Sequence, residues 1–142
     1  MTVSDSIFPL EFFIAATPRS LGASSQSKER WKAQVGEIAR KRRDETTEFS
    51  WLDQRPLALS VYYFPAAPME GDVDNIVKPI MDALIGVAYP DDRLVERVLV
   101  QKFEPDIDWS FEEPSEMLLA ALDTGTPVVY VRVDDDLAWR RN

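Results

Sequence analysis

The chain has 142 residues, 45% of them hydrophobic, and a formal net charge of −9, enough for one domain with its own core and too short to favour two. It contains neither His nor Cys, which excludes zinc sites built on those ligands, disulfides, thiol nucleophiles, imidazole bases and Ser-His triads together. Hydrolytic chemistry would have to run on carboxylates, Lys, Tyr or a hard cation held by oxygen ligands, of which Mg²⁺ is the first expectation.

In chain order, residues 1–8 lack the basic start and long apolar segment of a signal peptide, and no apolar run reaches bilayer length, so a soluble cytoplasmic protein is expected. Residues 9–16 alternate Leu10, Phe12 and Ile14 against Glu11 and Phe13, which predicts a strand with a buried face. Residues 17–24, with Pro18 and Gly22, read as a loop. From Ser25 onward Trp31, Val35, Ile38 and Ala39 recur on one face of a helix, with Ser24 or Ser25 as N-cap and Arg40-Lys41-Arg42-Arg43 closing its C-terminal end. Residues 1–43 carry eight Lys/Arg against four Asp/Glu, a net of +4, whereas residues 44–142 carry eight against twenty-one, a net of −13. The overall acidity argues against a polyanionic partner, but the cations are gathered in the N-terminal third, at Lys28, Arg30, Lys32 and Arg40 to Arg43.

Residues 44–56 are polar and read as irregular. Leu57–Phe64 alternates Leu57, Leu59, Val61 and Tyr63 against Ala58, Ser60, Tyr62 and Phe64, a second strand ended by Pro65 and Pro68. Residues 75–85 place Ile76, Ile80, Ala83 and Leu84 along a short buried helix whose end is marked by Gly86. Pro79 fits there only if the helix begins near Asp74 or Asn75, so that its missing N–H falls close to the first turn; otherwise a kink is expected. Residues 94–103 read as a third strand, although the charge spacing of residues 93–101 also admits a helix. A helix at 115–122, a turn at 123–127 and a strand at 128–133 complete an expected α+β fold: a single small domain with a mixed β-sheet packed with two to three helices. Its core spans about residues 8–133, and residues 134–142 form a solvated or loosely docked tail. The three consecutive acids Asp134, Asp135 and Asp136 do not converge naturally on one ion.

The chemistry-bearing residues lie between the second and third strands. Asp72 and Asp74 are two apart, followed by Asn75, Lys78, Asp82 and the pair Asp91-Asp92. If Asp72 and Asp74 are extended, the two-residue period turns both carboxylates to one face, where they can converge on a hard cation, and Asp91 or Asp92 can come alongside. Lys78 would supply positive charge near a phosphate. The ordinary alternative is an i, i+4, i+8 ladder of Asp74, Lys78 and Asp82, with Asp74 or Asn75 capping the helix and Asp91-Asp92 in a turn. Spacing alone favours this alternative, and the two are compatible. The basic helix has an ordinary reading too, because cations at a helix C-terminus suit the helix dipole without any nucleic acid.

The run Gly71-Asp72-Val73-Asp74-Asn75-Ile76-Val77-Lys78, then Asp82-Ala83-Leu84, Gly86, and Asp91-Asp92 before a Val-rich strand, resembles the signature of the RusA family of Holliday junction resolvases. The resemblance is densest over residues 71–102; upstream, Thr17-Pro18-Arg19-Ser20 before a basic helix is similar in order to the family's N-terminal region. It implies a RusA-like domain over residues 1–142: a homodimeric, Mg²⁺-dependent crossover junction endodeoxyribonuclease (Mn²⁺ being the alternative ion) that nicks four-way DNA in recombination and repair. It implies Asp72, Asp74 and Asp92 as catalytic carboxylates and metal ligands, with Asp91 the competing ligand. Lys78 corresponds to the family's essential lysine, and Asn75 and Asp82 take supportive places. Lys28, Arg30, Lys32, Arg40, Lys41, Arg42 and Arg43 are then expected to position the DNA backbone. Two rival expectations stand beside this one: a non-catalytic relative whose acidic surface binds a protein partner, and the same chemistry directed at flaps or forks.

Overall fold

The computed structural model describes residues 6–19, 24–47, 52–69 and 71–138. Ser20 and Gly22 of the expected loop, and Trp139, Arg140 and Arg141 of the expected tail, lie outside the described residues. The elements are β1 (Leu10–Ile14), α1 (Ser25–Thr46), β2 (Leu57–Phe64), a 3₁₀ turn (Val73–Ile76), α2 (Val77–Ala83), a second 3₁₀ turn (Asp92–Leu94), β3 (Val95–Lys102), α3 (Glu116–Thr124) and β4 (Val128–Asp134). This is the expected α+β architecture, a four-stranded mixed sheet with three helices.

The strand order is β1-β4-β2-β3. The last strand in sequence is therefore inserted between the first two and is antiparallel to both, whereas β2 and β3 are parallel. Period-two alternation gives the sheet two apolar faces. Leu10, Phe12, Leu59, Val61, Val129 and Val131 point to the main core, where they meet Trp31, Val35 and Ala39 of α1 and Ile80 of α2. Phe64, Val128 and Tyr130 point the other way, toward Leu118 and Ala121 of α3. Beside α3 the segment after β3 folds its own aromatics onto this second face: Phe103 stacks on Phe64 at 4.8 Å between ring centroids, and Phe111 stacks on Tyr62 at 5.7 Å. β3 forms a sheet edge and leaves Val98 and Leu99 exposed.

α1 is capped as expected by Ser24, whose hydroxyl accepts from the Ser27 N–H at 3.2 Å. It runs on to Thr46, three residues beyond the basic run, so residues 44–46 are helical rather than irregular. Gly36 is buried where α1 meets α2, with the Ala83 carbonyl oxygen 3.4 Å from the place a Cβ would take, an ordinary contact distance. Of the acidic tail, Asp134 pairs with Arg132 at 2.7 Å and Asp135 with Arg55 at 2.7 Å. The described part of the tail is thus tied to the body by separate ion pairs. None of the described helices is long and apolar enough to cross a membrane.

Ile80 is fully buried between α1 and the sheet. Ile80→Ala is expected to cost about 2–5 kcal/mol in urea unfolding, whereas Leu119→Ala, at an exposed position on α3, should stay within about 0.5 kcal/mol of the parent.

Candidate functional site

The candidate acids Asp72, Asp74, Asp82, Asp91 and Asp92 all lie on the connection that carries the chain from the end of β2 to the start of β3. Asp72 is extended (φ −98°, ψ 141°) and leads into the first 3₁₀ turn, where Asn75 N–H bonds back to the Asp72 carbonyl at 3.1 Å. Asp74 sits inside that turn, so the two carboxylates do not share one extended segment. Neither spends its charge on a helix cap: the Asp72 side chain makes no cap bond, and the residue preceding α2 is Ile76. Both are exposed and without a hydrogen-bond or ion-pair partner among the described residues. Pro79 occupies the third position of α2, inside its first turn. An N–H at Pro79 would have reached toward the Asn75 carbonyl; its absence falls where the 3₁₀ turn passes into α-helix, and the helix is not interrupted further on.

After α2 the chain is wound tightly. Gly86 takes φ +82°, a left-handed conformation open to glycine, and donates to the Tyr89 carbonyl at 2.7 Å. Val87, Ala88 and Tyr89 are buried, the Tyr89 hydroxyl donates to the Met81 carbonyl at 2.7 Å, and Arg43 Nη1 reaches from the end of α1 to the Val87 carbonyl at 2.9 Å. This segment delivers Asp91 and Asp92 in different states. Asp91 is exposed and caps the second 3₁₀ turn, accepting from Arg93 N–H at 3.0 Å; that backbone bond, above all, holds its carboxyl below the usual range. Asp92 turns inward and accepts from Lys78 Nζ at 2.8 Å.

Lys78 is the hub of the arrangement. Its ammonium lies 2.8 Å from Asp92 Oδ2 and 2.9 Å from Asp82 Oδ1, joining the start of α2, its last turn and the start of the second 3₁₀ turn. The expected ladder is therefore present only in its second half: Lys78 pairs with Asp82, and its other partner is Asp92 rather than Asp74. The hydrogen bonds to Asp92 and then Asp82 raise the lysine above its ordinary value, so it is a fixed cation and not a proton acceptor. Burial, reinforced by the Asp92 and Asp82 charges, likewise pushes the Tyr89 hydroxyl up and keeps it protonated.

The donor chemistry suits a hard divalent ion: Asp72 and Asp74 offer unpartnered carboxylates, and Asp92 has one oxygen that Lys78 does not engage. Among the described residues, however, no three carboxylates are gathered closely enough to form a metal cluster. Next to Asp72 and Asn75 opens a cleft of about 510 Å³, also lined by Thr17, Arg19, Tyr63 and Met69.

The basic residues of α1 fall into distinct groups. Arg43 is buried at 9% exposure and bonded to the Val87 carbonyl and Asp44, which takes it out of the surface set in which the sequence places it. The signal for this was the spacing Trp31, Val35, Ala39, Arg43: four residues apart each time, Arg43 continues the buried stripe. Arg42 donates to the Glu11 carbonyl and stands 3.8 Å from Glu45, and Lys32 pairs with Glu29 at 3.1 Å. Arg30, Arg40 and Lys41 are exposed, and Lys28 is half-buried.

A family model described as Endodeoxyribonuclease RusA matches residues 19–108, a stretch that covers α1, β2, the acidic connection and β3. No curated protein matches the chain.

Because Lys78 is half exposed, its two ion pairs contribute little to folding. Lys78→Met is expected to change unfolding free energy by less than about 1 kcal/mol, with a difference that shrinks as salt is added. A chemical denaturation series at low and high NaCl measures both.

Proposed function

The chain belongs to the RusA family of endodeoxyribonucleases, and from that membership we propose that it is a structure-selective DNA nuclease that resolves four-way junctions by paired nicks. What supports the reading is the charge arrangement on the β2–β3 connection: a lysine fixed as a cation between Asp82 and Asp92, with Asp72 and Asp74 unpartnered on the adjoining turn. Asp72, Asp74 and Asp92 would hold Mg²⁺, or Mn²⁺ in its place, and that ion would supply Lewis acidity toward a phosphodiester. The protein's own part is positional. Lys78 keeps a full positive charge beside the reacting phosphate, where it stabilises charge that develops in the transition state. Asp82 fixes the direction of Lys78, Asp91 shapes the turn that presents Asp92, and Asn75 closes the turn between Asp72 and α2. Arg30 of α1, exposed and paired with no carboxylate among the described residues, would contact the DNA backbone without reading sequence. A cytoplasmic homodimer suits the task, since two sites related by a two-fold axis can nick symmetry-related strands.

One observation favours a second reading, a non-catalytic relative that binds a partner through its acidic surface: the described carboxylates do not close into a three-acid cluster. Cleavage separates the two. With Mg²⁺ the purified protein is expected to nick a synthetic four-way junction in preference to linear duplex, and EDTA or Asp74→Asn should abolish the activity. Lys78→Met should slow cleavage by about 10²–10³-fold while the protein stays folded. Cleavage that survives EDTA or Asp74→Asn would sink the metal mechanism, and junction binding without cleavage under any divalent ion would favour the binding protein.

A further inference from the structure

Two clefts meet at Arg19. The first, of about 510 Å³, extends from Thr17 and Arg19 to Asp72 and Asn75. The second, of about 400 Å³, is lined by the same Thr17 and Arg19 and extends along α1 to Ser27, Arg30 and Gln34. The wall they share, Thr17 and Arg19, lies on the segment that follows β1, and in the first cleft it stands with Tyr63 of β2. Arg19 and Arg30 are both exposed, and neither meets a carboxylate among the described residues. The other cations of α1 are compromised by comparison. Lys32, Arg42 and Arg43 each face an acid, and Arg40 and Lys41 share their concavity with Glu37, Asp44 and Glu45.

A polyanion approaching Asp72 and Asp74 meets repulsion from both, so a cation beside its path matters more there than at the far end of α1. An arginine fork also suits phosphate oxygens, which it can engage through two N–H groups at once. We propose that a DNA strand enters through the paired clefts, with Arg30 and then Arg19 on consecutive stretches of its phosphate backbone, and that Arg19 is the last of these backbone contacts before Asp72. This rests on the nuclease reading and deepens it. Arg19 lies outside the residues Lys28 to Arg43 that the family resemblance implies for the DNA backbone, and the basic run Arg40–Lys41 contributes little.

The test is anisotropy of a fluorescent four-way junction, titrated at several NaCl concentrations with Ca²⁺ replacing Mg²⁺. Arg19→Ala and Arg30→Ala are each expected to weaken binding several-fold and to lower the slope of log affinity against log salt by about 1. Arg19→Lys should recover the slope, and a double Arg40→Ala, Lys41→Ala variant should bind like the parent. If Arg19→Ala and Arg30→Ala match the parent in affinity and slope, or if the Arg40/Lys41 double variant is the weaker binder, the strand path is wrong while the nuclease reading stands. If the parent protein binds no DNA of any form, both fall.

Discussion

The parallel pairing of β2 with β3 governs the rest of this molecule. A hairpin turn cannot join parallel strands, so the chain must cross the sheet before it can begin the second one. Here residues 65–94 make that crossing, and they carry Asp72, Asp74, Lys78, Asp82, Asp91 and Asp92. The acids are not held by one another. They are held by apolar neighbours in the same segment, namely Ile76, Ile80, Leu84, Val87 and Tyr89, all buried against α1 and the sheet. Alternation of anchored apolar and exposed acidic residues lets a short connection present six charged side chains without unravelling.

Arg43 completes that anchoring from outside the connection. A buried guanidinium is costly unless its donors are used, and here they reach the Val87 carbonyl and Asp44. The end of α1 thereby fixes the backbone just ahead of Asp91 and Asp92. The two neighbouring aspartates then diverge in role because one lies at the cap of a turn and the other inside it. Asp91 takes a backbone N–H, whereas Asp92 takes the lysine ammonium.

Much of the fold was legible in the sequence because strand and helix leave different periods. Leu57–Phe64 has the limits its alternation predicts, Ser24 of the two candidate serines caps α1, the helix expected at 115–122 is present as Glu116–Thr124, and Val95–Lys102 within the expected 94–103 is strand rather than helix. Strand order was not legible. Nothing local to Val128–Asp134 says that it lies between β1 and β2, since that depends on which edges remain available once the other strands have paired. The aromatic layer of Phe103, Trp109 and Phe111 was hidden for a similar reason: its rings lie in a segment without regular period. At the site, the order of residues singled out the β2–β3 connection, but the dihedrals of Asp72 and Asp74 and the pairing of Lys78 with two acids are tertiary outcomes. Arg43 was misplaced because a run of four cations invites a single interpretation, while helical geometry sends the fourth inward.

β3 ends the sheet on the side away from β1, with Val98 and Leu99 exposed on an eight-residue strand. Such an edge is a template on which another chain could continue the ladder, and uncontrolled growth there leads to aggregates. The same strand carries Glu96, Arg97 and Lys102 around its apolar centre. Charged side chains on an edge strand disfavour pairing with an apolar strand, so the edge carries its own guard against indiscriminate sheet extension.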